Sequence, residues 1–250
     1  MGQHGEHGPL VMRWFGLALV AAALVPAPAF ACRLALLLAV DVSSSIDEAE
    51  YRLQRDGLAS ALLAPGVQKA FLRTPDPVAL SIFEWSGARN QQIVLDWVLI
   101  RSRVDLLSAA ERLSTTDRKE RLFPTSLGSA LGFAAGQLQR APECQRKTLD
   151  VSGDGRNNHG FPPASAYRHF PYAGVIVNGL AIGGAEDLPE LVDYFSKEVI
   201  KGPGAFVEIA FDHSDFERAM RRKLERELQP FAVGQVAPAA PDHAALLTDQ

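Results

Sequence analysis

No excess of basic charge marks this chain. Its 25 lysines and arginines stand against 29 acidic residues, a formal net charge of −4, so there is no polybasic face to hold nucleic acid or an anionic membrane as the main partner. Long apolar runs are also missing: the best of them, Trp14 to Val25, falls short of the ~20 residues a membrane-spanning helix needs. No internal repeat is visible, and no G-x-G-x-x-G follows the first apolar strand, which removes a dinucleotide-binding reading. Cysteine is limited to Cys32 and Cys144. What remains, 47% hydrophobic and 22% charged residues over 250 positions, is material for one globular domain plus extensions.

The N-terminal region reads as a secretion signal. Met12 and Arg13 precede the apolar run, prolines follow it, and Ala29-Phe30-Ala31 before Cys32 has the small-x-small pattern of a cleavage site. Residues 1–31 are expected to be the signal, with the polar residues 1–11 an over-extended start and Met12 a candidate initiator. The mature chain would be periplasmic or secreted, cut near Ala31, with no membrane span. A lipid anchor on Cys32 is the rival reading, but the position three residues earlier, where such sites carry Leu, is Ala29. Export invites a disulfide. Cys32 lies nine residues before Asp41, and Cys144 ten before Asp154. If the strands between are parallel neighbours, ~4.8 Å apart, both cysteines fall at one end of the sheet, within the ~5.5 Å Cα spacing of a disulfide. Two separate buried thiols are the alternative.

Along the chain, Leu34 to Asp41 is a buried-strand run, and Ser45 with Glu48 reads as a capping box for a helix carrying Leu53, Leu58, Ala61 and Leu62 and ending near Pro65-Gly66. Residues 78–85 and 91–100 read as an antiparallel hairpin. A helix is expected over Val104–Leu113, then a polar loop from Ser114 to Arg121. A second helix runs from Ser126 with Leu127, Leu131, Ala134 and Leu138 on one face. Strand Lys147–Ser152 leads into the turn-rich Gly153–Asn158, and a short helix is expected over 164–170. Strand Ala173–Ile182 precedes a helix capped by Asp187 with Glu190, strand Ala205–Phe211, and a last helix capped by Ser214 with Glu217. The tail 231–250 has little pattern and reads as disordered. Strands alternating with helices imply an α/β fold, a doubly wound and mostly parallel central sheet with one antiparallel edge strand and helices on both faces.

In such a sheet, ligands bind beyond the carboxyl ends of the strands at the topological switch point, where Asp41 and Asp154 are expected. Asp41, Ser43 and Ser45, gathered where a strand stops, are the oxygen donors a hard divalent cation takes; Mg²⁺ binds oxygen at about 2.1 Å and keeps several waters. Singly, the residues read more plainly: Ser45 as a helix cap, Asp154 between glycines as a turn residue, Thr125 after Pro124 as another cap. In order, Asp41-x-Ser43-x-Ser45, Thr125 and Asp154-Gly155 resemble the metal-ion-dependent adhesion site of von Willebrand factor A domains. Thr125 is followed by Ala130-Leu131, as that family's threonine usually is. The likeness runs from about Leu34 to Leu228. Within it Cys144–Asn158, Asn178–Ile182 and Gly202–Val207 are similar to a bacterial exported branch of unassigned function.

The resemblance implies a von Willebrand factor A-like domain over 32–230. Ser43, Ser45 and Thr125 would bind Mg²⁺ (or Mn²⁺ or Ca²⁺) through their hydroxyls, and Asp41 and Asp154 would act through water or hydrogen bonds. Neutral donors leave the ion with an appetite for an Asp or Glu carboxylate of a protein partner. One departure stands out: Gly153 precedes Asp154, where many members have Thr or Ser. The expected function is a non-enzymatic, cation-dependent adhesion or assembly module. A metal-dependent phosphohydrolase is the alternative, though no second metal cluster, nucleophile or general base is apparent; a degenerate domain without metal is the third reading. Asp150, inside a strand, is expected to be buried or to support the site from behind. Glu84 is expected at an exposed strand end. Asn157, Asn158 and His159 are expected to order their loop.

Overall fold

The structure, a computed structural model, describes residues 31–118 and 123–229 together with Met1 and Gly2. Nearly all of the expected secretion signal, the Met12 start, the end of the Ser114–Arg121 loop and the tail 231–250 therefore lie outside the described residues. Six strands build one sheet: β1 (Leu34–Asp41), β2 (Val78–Trp85), β3 (Gln91–Ile100), β4 (Lys147–Gly153), β5 (Val175–Ile182) and β6 (Val207–Ala210). Their spatial order is β3-β2-β1-β4-β5-β6, with every pair parallel except the β2–β3 hairpin. This is the expected mostly parallel sheet with one antiparallel edge strand. The order reverses at β1, which has β2 on one side and β4 on the other, so the ends of β1 and β4 flank the crevice.

Strand β1 reads as a nearly continuous apolar run because both of its faces are covered. Along β1, Leu34, Leu36, Leu38 and Val40 face one layer and Leu37 and Ala39 the other, the two-residue alternation of a strand. The first layer holds α1 (Glu48–Leu63), α2 (Pro65–Phe71), α3 (Arg103–Ser114) and α7 (Phe216–Glu227); the second holds α4 (Leu127–Arg140), α5 (Pro163–His169) and α6 (Leu188–Tyr194). Over Leu95–Leu99 strand β3 alternates half-buried and exposed positions, as an edge strand does. Cys32 and Cys144 form a disulfide with Cα atoms 4.5 Å apart, just before β1 and β4. It ties the sheet at the end opposite Asp41 and Asp154, as their spacing along the chain requires.

Several local expectations are corrected. The cap of α1 is Asp47, not Ser45: its carboxylate accepts the N–H groups of Ala49 (2.7 Å) and Glu50 (2.9 Å), and Glu50 reaches back to the N–H of Asp47 (2.8 Å). The carboxylate accepts two helix N–H groups at once, which leaves the Ser45 hydroxyl available. The first helix ends at Leu63, next to Pro65 as expected, and Pro65 then opens an unexpected α2, where its fixed φ suits a first turn. Leu53 lies outside the core, 45% exposed. The expected Asp187–Glu190 box does not form, because Glu190 pairs with Arg156 at 2.9 Å. Before α7, Ser214 hydrogen-bonds Asp212, and Asp212 caps the short 3₁₀ turn His213–Asp215.

Candidate functional site

The five oxygen-bearing residues meet at the crevice. Asp41, wholly buried at the end of β1, accepts the Ser43 N–H at Oδ1 (2.8 Å), while its Oδ2 has no hydrogen-bond partner. The Ser43 hydroxyl stands 3.2 Å from Ser45 Oγ and 3.2 Å from Thr125 Oγ1. Ser45 in turn donates to Asp154 Oδ1 at 2.8 Å. Residues up to 113 positions apart in sequence thus form one connected group. The three hydroxyls lie farther from one another than the ~2.7–2.8 Å typical of O–H···O bonds, as a set of donors facing a common point would.

Each donor is held by its own backbone. The turn after β1 is fixed by Val42 N–H on the Trp85 carbonyl (2.8 Å) and Ser44 N–H on the Phe123 carbonyl (2.8 Å). Arg118 reinforces it from the polar loop. Its guanidinium, 8% exposed, donates to the carbonyls of Ile46 (2.7 Å), Val42 (2.8 Å) and Ser43 (2.9 Å) and lies 5.5 Å from the Tyr51 ring centroid. Thr125 is set by Ser126 N–H on the Ser86 carbonyl (2.9 Å) and by Asn158 Oδ1 accepting its N–H (2.9 Å). Asn157 Oδ1 takes the Gly128 N–H at the start of α4 (3.1 Å), which Ser126 does not cap. The two asparagines order the loop as expected. His159 contributes only backbone contacts to Thr125 and Ser126, its side chain exposed.

Asp41, buried, and Asp154, half-buried, both disfavour ionisation. Burial pushes Asp41 well above the ordinary carboxylate range, and the Asp154 charge adds to it. Burial raises Asp154 too, against the opposing pull of the Ser45 hydroxyl. Neither carboxylate forms an ion pair among the described residues, and Arg118, although near enough to be felt by Asp41, directs its N–H groups at carbonyls. Gly153 clears the space beside Asp41: a Cβ there would stand 3.1 Å from Oδ2 and 3.6 Å from the Trp85 ring. A Ser or Thr at 153 would crowd the free carboxylate oxygen, which gives the departure at this position a steric reason.

An orphaned, buried carboxylate oxygen beside three hydroxyls and a second carboxylate is a donor set that fits a hard divalent cation. Among the described residues no three His, Cys, Asp or Glu side chains converge on one point, so the set is rich in neutral oxygen and free of nitrogen and sulfur. Other expectations are settled differently. Glu84 is buried, not exposed, and accepts the Tyr51 hydroxyl at 2.9 Å; burial and this carboxylate raise the Tyr51 pKa. Asp150 lies away from the crevice with a partner that sequence reasoning missed. The Lys223 ammonium, fully buried, sits 2.8 Å from Asp150 and 2.7 Å from Glu227. Lys223 falls three residues after Met220 on the apolar face of α7, a signal present in the sequence. Arg118 gave no such signal.

Solved structures similar to the chain share its fold. Proximal thread matrix protein 1 of the mussel byssus, in a form with a zinc-occupied MIDAS motif, is 16% identical with a TM-score of 0.56, over 80% of this chain and 49% of that one. A von Willebrand factor type A protein from Catenulispora acidiphila is 15% identical with a TM-score of 0.55, over 79% and 43%. The pilus adhesin SpaC from Lactobacillus rhamnosus GG is 12% identical with a TM-score of 0.56, over 79% and 31%. The chain thus spans about half or less of the length of each of these structures, and no curated protein matches it. Its fold is that of a von Willebrand factor A domain, and, by a family model that matches residues 31–232, the chain belongs to the family described as protein of unknown function, DUF1194.

Proposed function

We propose that Asp41, Ser43, Ser45, Thr125 and Asp154 hold a divalent cation, Mg²⁺ foremost with Mn²⁺ or Ca²⁺ also suited, and that the protein is an exported adhesion or assembly module rather than an enzyme. The observation that carries this reading is the buried Asp41 Oδ2, without a partner beside a trio of hydroxyls. Leaving a buried polar atom unpaired costs about 1–3 kcal/mol, more when it is charged, and a cation removes that cost. When bound, such an ion supplies an electrophilic site for an outside carboxylate. The chain's own part is to hold the three hydroxyls as neutral ligands and to keep Asp41 and Asp154 behind them. The partner is then a protein presenting Asp or Glu. The mussel protein's zinc-occupied motif and the pilus adhesin support a metal-dependent adhesive role for the fold; all-oxygen donors favour Mg²⁺ over zinc here. The domain takes in residues 32–230, following a secretion signal, and the mature chain works in the periplasm or outside the cell.

Calorimetric titration of Mg²⁺ or Mn²⁺ tests the reading, with heat expected from the unaltered protein and none from Asp41→Ala or Thr125→Ala. No heat from the unaltered protein would leave a domain without metal, and turnover of a generic phosphoester would favour the phosphohydrolase.

A further inference from the structure

Beside the five-residue site lies a cleft of about 280 Å³ between the turn after β1 and the β2–β3 hairpin. Val42, flanked by Asp41 and Ser43, forms one wall. Ser86, whose carbonyl anchors the residue after Thr125, forms another. The cleft therefore shares backbone with the site on two sides. Glu84, Arg89, Asn90, Gln91 and Gln92 complete the wall. Their capacities differ. The Glu84 carboxylate is engaged by the Tyr51 hydroxyl, and Gln91 donates to the Gly87 carbonyl. The Arg89 guanidinium is exposed and has no partner among the described residues. It is the cleft's one charge left available to a ligand, in a chain whose overall charge is −4.

We propose that this cleft is a second carboxylate subsite, so that the partner is an acidic peptide segment with two carboxylates close in sequence, one taken at the cation and the other by Arg89. The proposal rests on the cation reading above. A guanidinium binds carboxylate through two parallel N–H···O bonds, a geometry no lysine or amide reproduces. The cleft is just smaller than the ~300–1,000 Å³ of small-ligand sites, a size that suits one side chain and its adjoining peptide unit. Gln92 and the Gln91 amide oxygen offer neutral hydrogen bonds to that peptide unit. An acidic segment approaching the cation is otherwise repelled by the protein's net charge, and Arg89 supplies local attraction where the second acidic residue arrives.

The probes are capped peptides carrying one aspartate, or an aspartate and a glutamate separated by zero, one or two glycines, with succinate as a small dicarboxylate. Binding to the full chain is measured in Mg²⁺ by calorimetry and by the guanidinium NMR signal of Arg89. At least one two-carboxylate peptide should bind about tenfold tighter than the aspartate-only peptide and shift that signal. Arg89→Gln should abolish the difference and leave aspartate-only binding unchanged. Equal binding of all peptides, or a preference that persists in Arg89→Gln, overturns the subsite while leaving the cation reading intact. Succinate binding as tightly as the best peptide overturns the peptide partner in favour of a small dicarboxylate. No Mg²⁺ heat from the unaltered protein overturns the cation reading and this proposal with it.

Discussion

The crevice at the end of β1 and the buried cluster behind β4 are built from similar parts and balanced differently. Each brings two carboxylates together: Asp41, buried, with half-buried Asp154 in the crevice, and Asp150 with Glu227, both buried, in the interior. In the interior the chain supplies its own cation. Lys223, fully buried, lies within 2.8 Å of both acids, and Asn178 donates to Glu227 at 2.7 Å while receiving the Phe206 N–H (3.1 Å). In the crevice no lysine or arginine pairs with either aspartate among the described residues; Asp41 Oδ2 lacks both a hydrogen bond and a counter-charge, whereas the interior oxygens that lack a hydrogen bond, on Asp150 and Glu227, belong to carboxylates that share the Lys223 ammonium. A chain able to neutralise one pair of acids with an ammonium has left the other pair open. The interior cluster joins α7 to β4 and β5; the crevice, on the reading proposed above, takes its positive charge from outside.

Removing the internal cation is expected to have the largest effect. Lys223→Met should destabilise the fold by about 3–5 kcal/mol, the cost of stranding buried partners of a broken ion pair, measured as a shift in urea midpoint at unchanged slope. A small effect would mean the two acids are already neutral without it, and the contrast with the crevice would lapse. The crevice should respond to its cation next: Mg²⁺ at a hundredfold excess over its Kd should raise stability by about 2.7 kcal/mol, and Asp41→Asn should remove that gain. In chelator, by contrast, Asp41→Asn should leave stability unchanged or raise it by up to about 1 kcal/mol. It keeps an acceptor for the Ser43 N–H and discards a buried ionisable group that has no counter-charge. A loss comparable with that of Lys223→Met would make the crevice a structural site like the interior one.

Arg118→Met removes the guanidinium from three carbonyls of the turn that presents Ser43 and Ser45. It should cost about 1.5–3 kcal/mol, as lost charged hydrogen bonds do, and weaken Mg²⁺ binding as well. Unchanged affinity would show that the turn is held by Trp85 and Phe123 alone.

The smallest effect is on pH dependence. Burial, with the nearby Glu227 charge, pushes the Asp150 pKa up to about 7 against the opposing pull of Lys223. A carboxyl raised in the native state binds more protons there than in the unfolded chain, so its contribution is complete below about pH 4 and is lost as pH rises through about 7. Asp150→Asn, which cannot ionise, should flatten the decline in stability between pH 5 and pH 8. An unchanged slope would place the titrating group elsewhere.

How much of this was legible beforehand depends on whether the signal was local. Both strands of the β2–β3 hairpin were readable to the residue, because apolar runs broken by Ser-Gly-Ala-Arg-Asn leave one solution. Caps were less readable. Ser45, Asp187 and Ser214 each have the right spacing for a capping box, yet Asp47 and Asp212 take the N–H groups near the first and last of these, and at Asp187 no box forms because Glu190 is drawn to Arg156. Asp150 is anomalous within a strand and Lys223 interrupts the apolar face of α7, but nothing local joins the one to the other. The burial of Glu84 follows from Tyr51, 33 positions away.

By itself the sequence determined the alternation of strands and helices, the sheet they form, and the end of that sheet at which the two cysteines pair, since these follow from apolar periodicity and from spacing within single elements; the five oxygen-bearing residues were singled out by their resemblance to an adhesion-site motif. Only the tertiary structure decided that Ser45 is released from capping to meet Asp154, that Arg118 grips the turn from a polar loop, that one Asp41 oxygen is buried without a partner, and that Lys223 answers Asp150. Those outcomes depend on which distant side chains are brought into contact, and pairing across 72 to 109 residues leaves no local pattern to read.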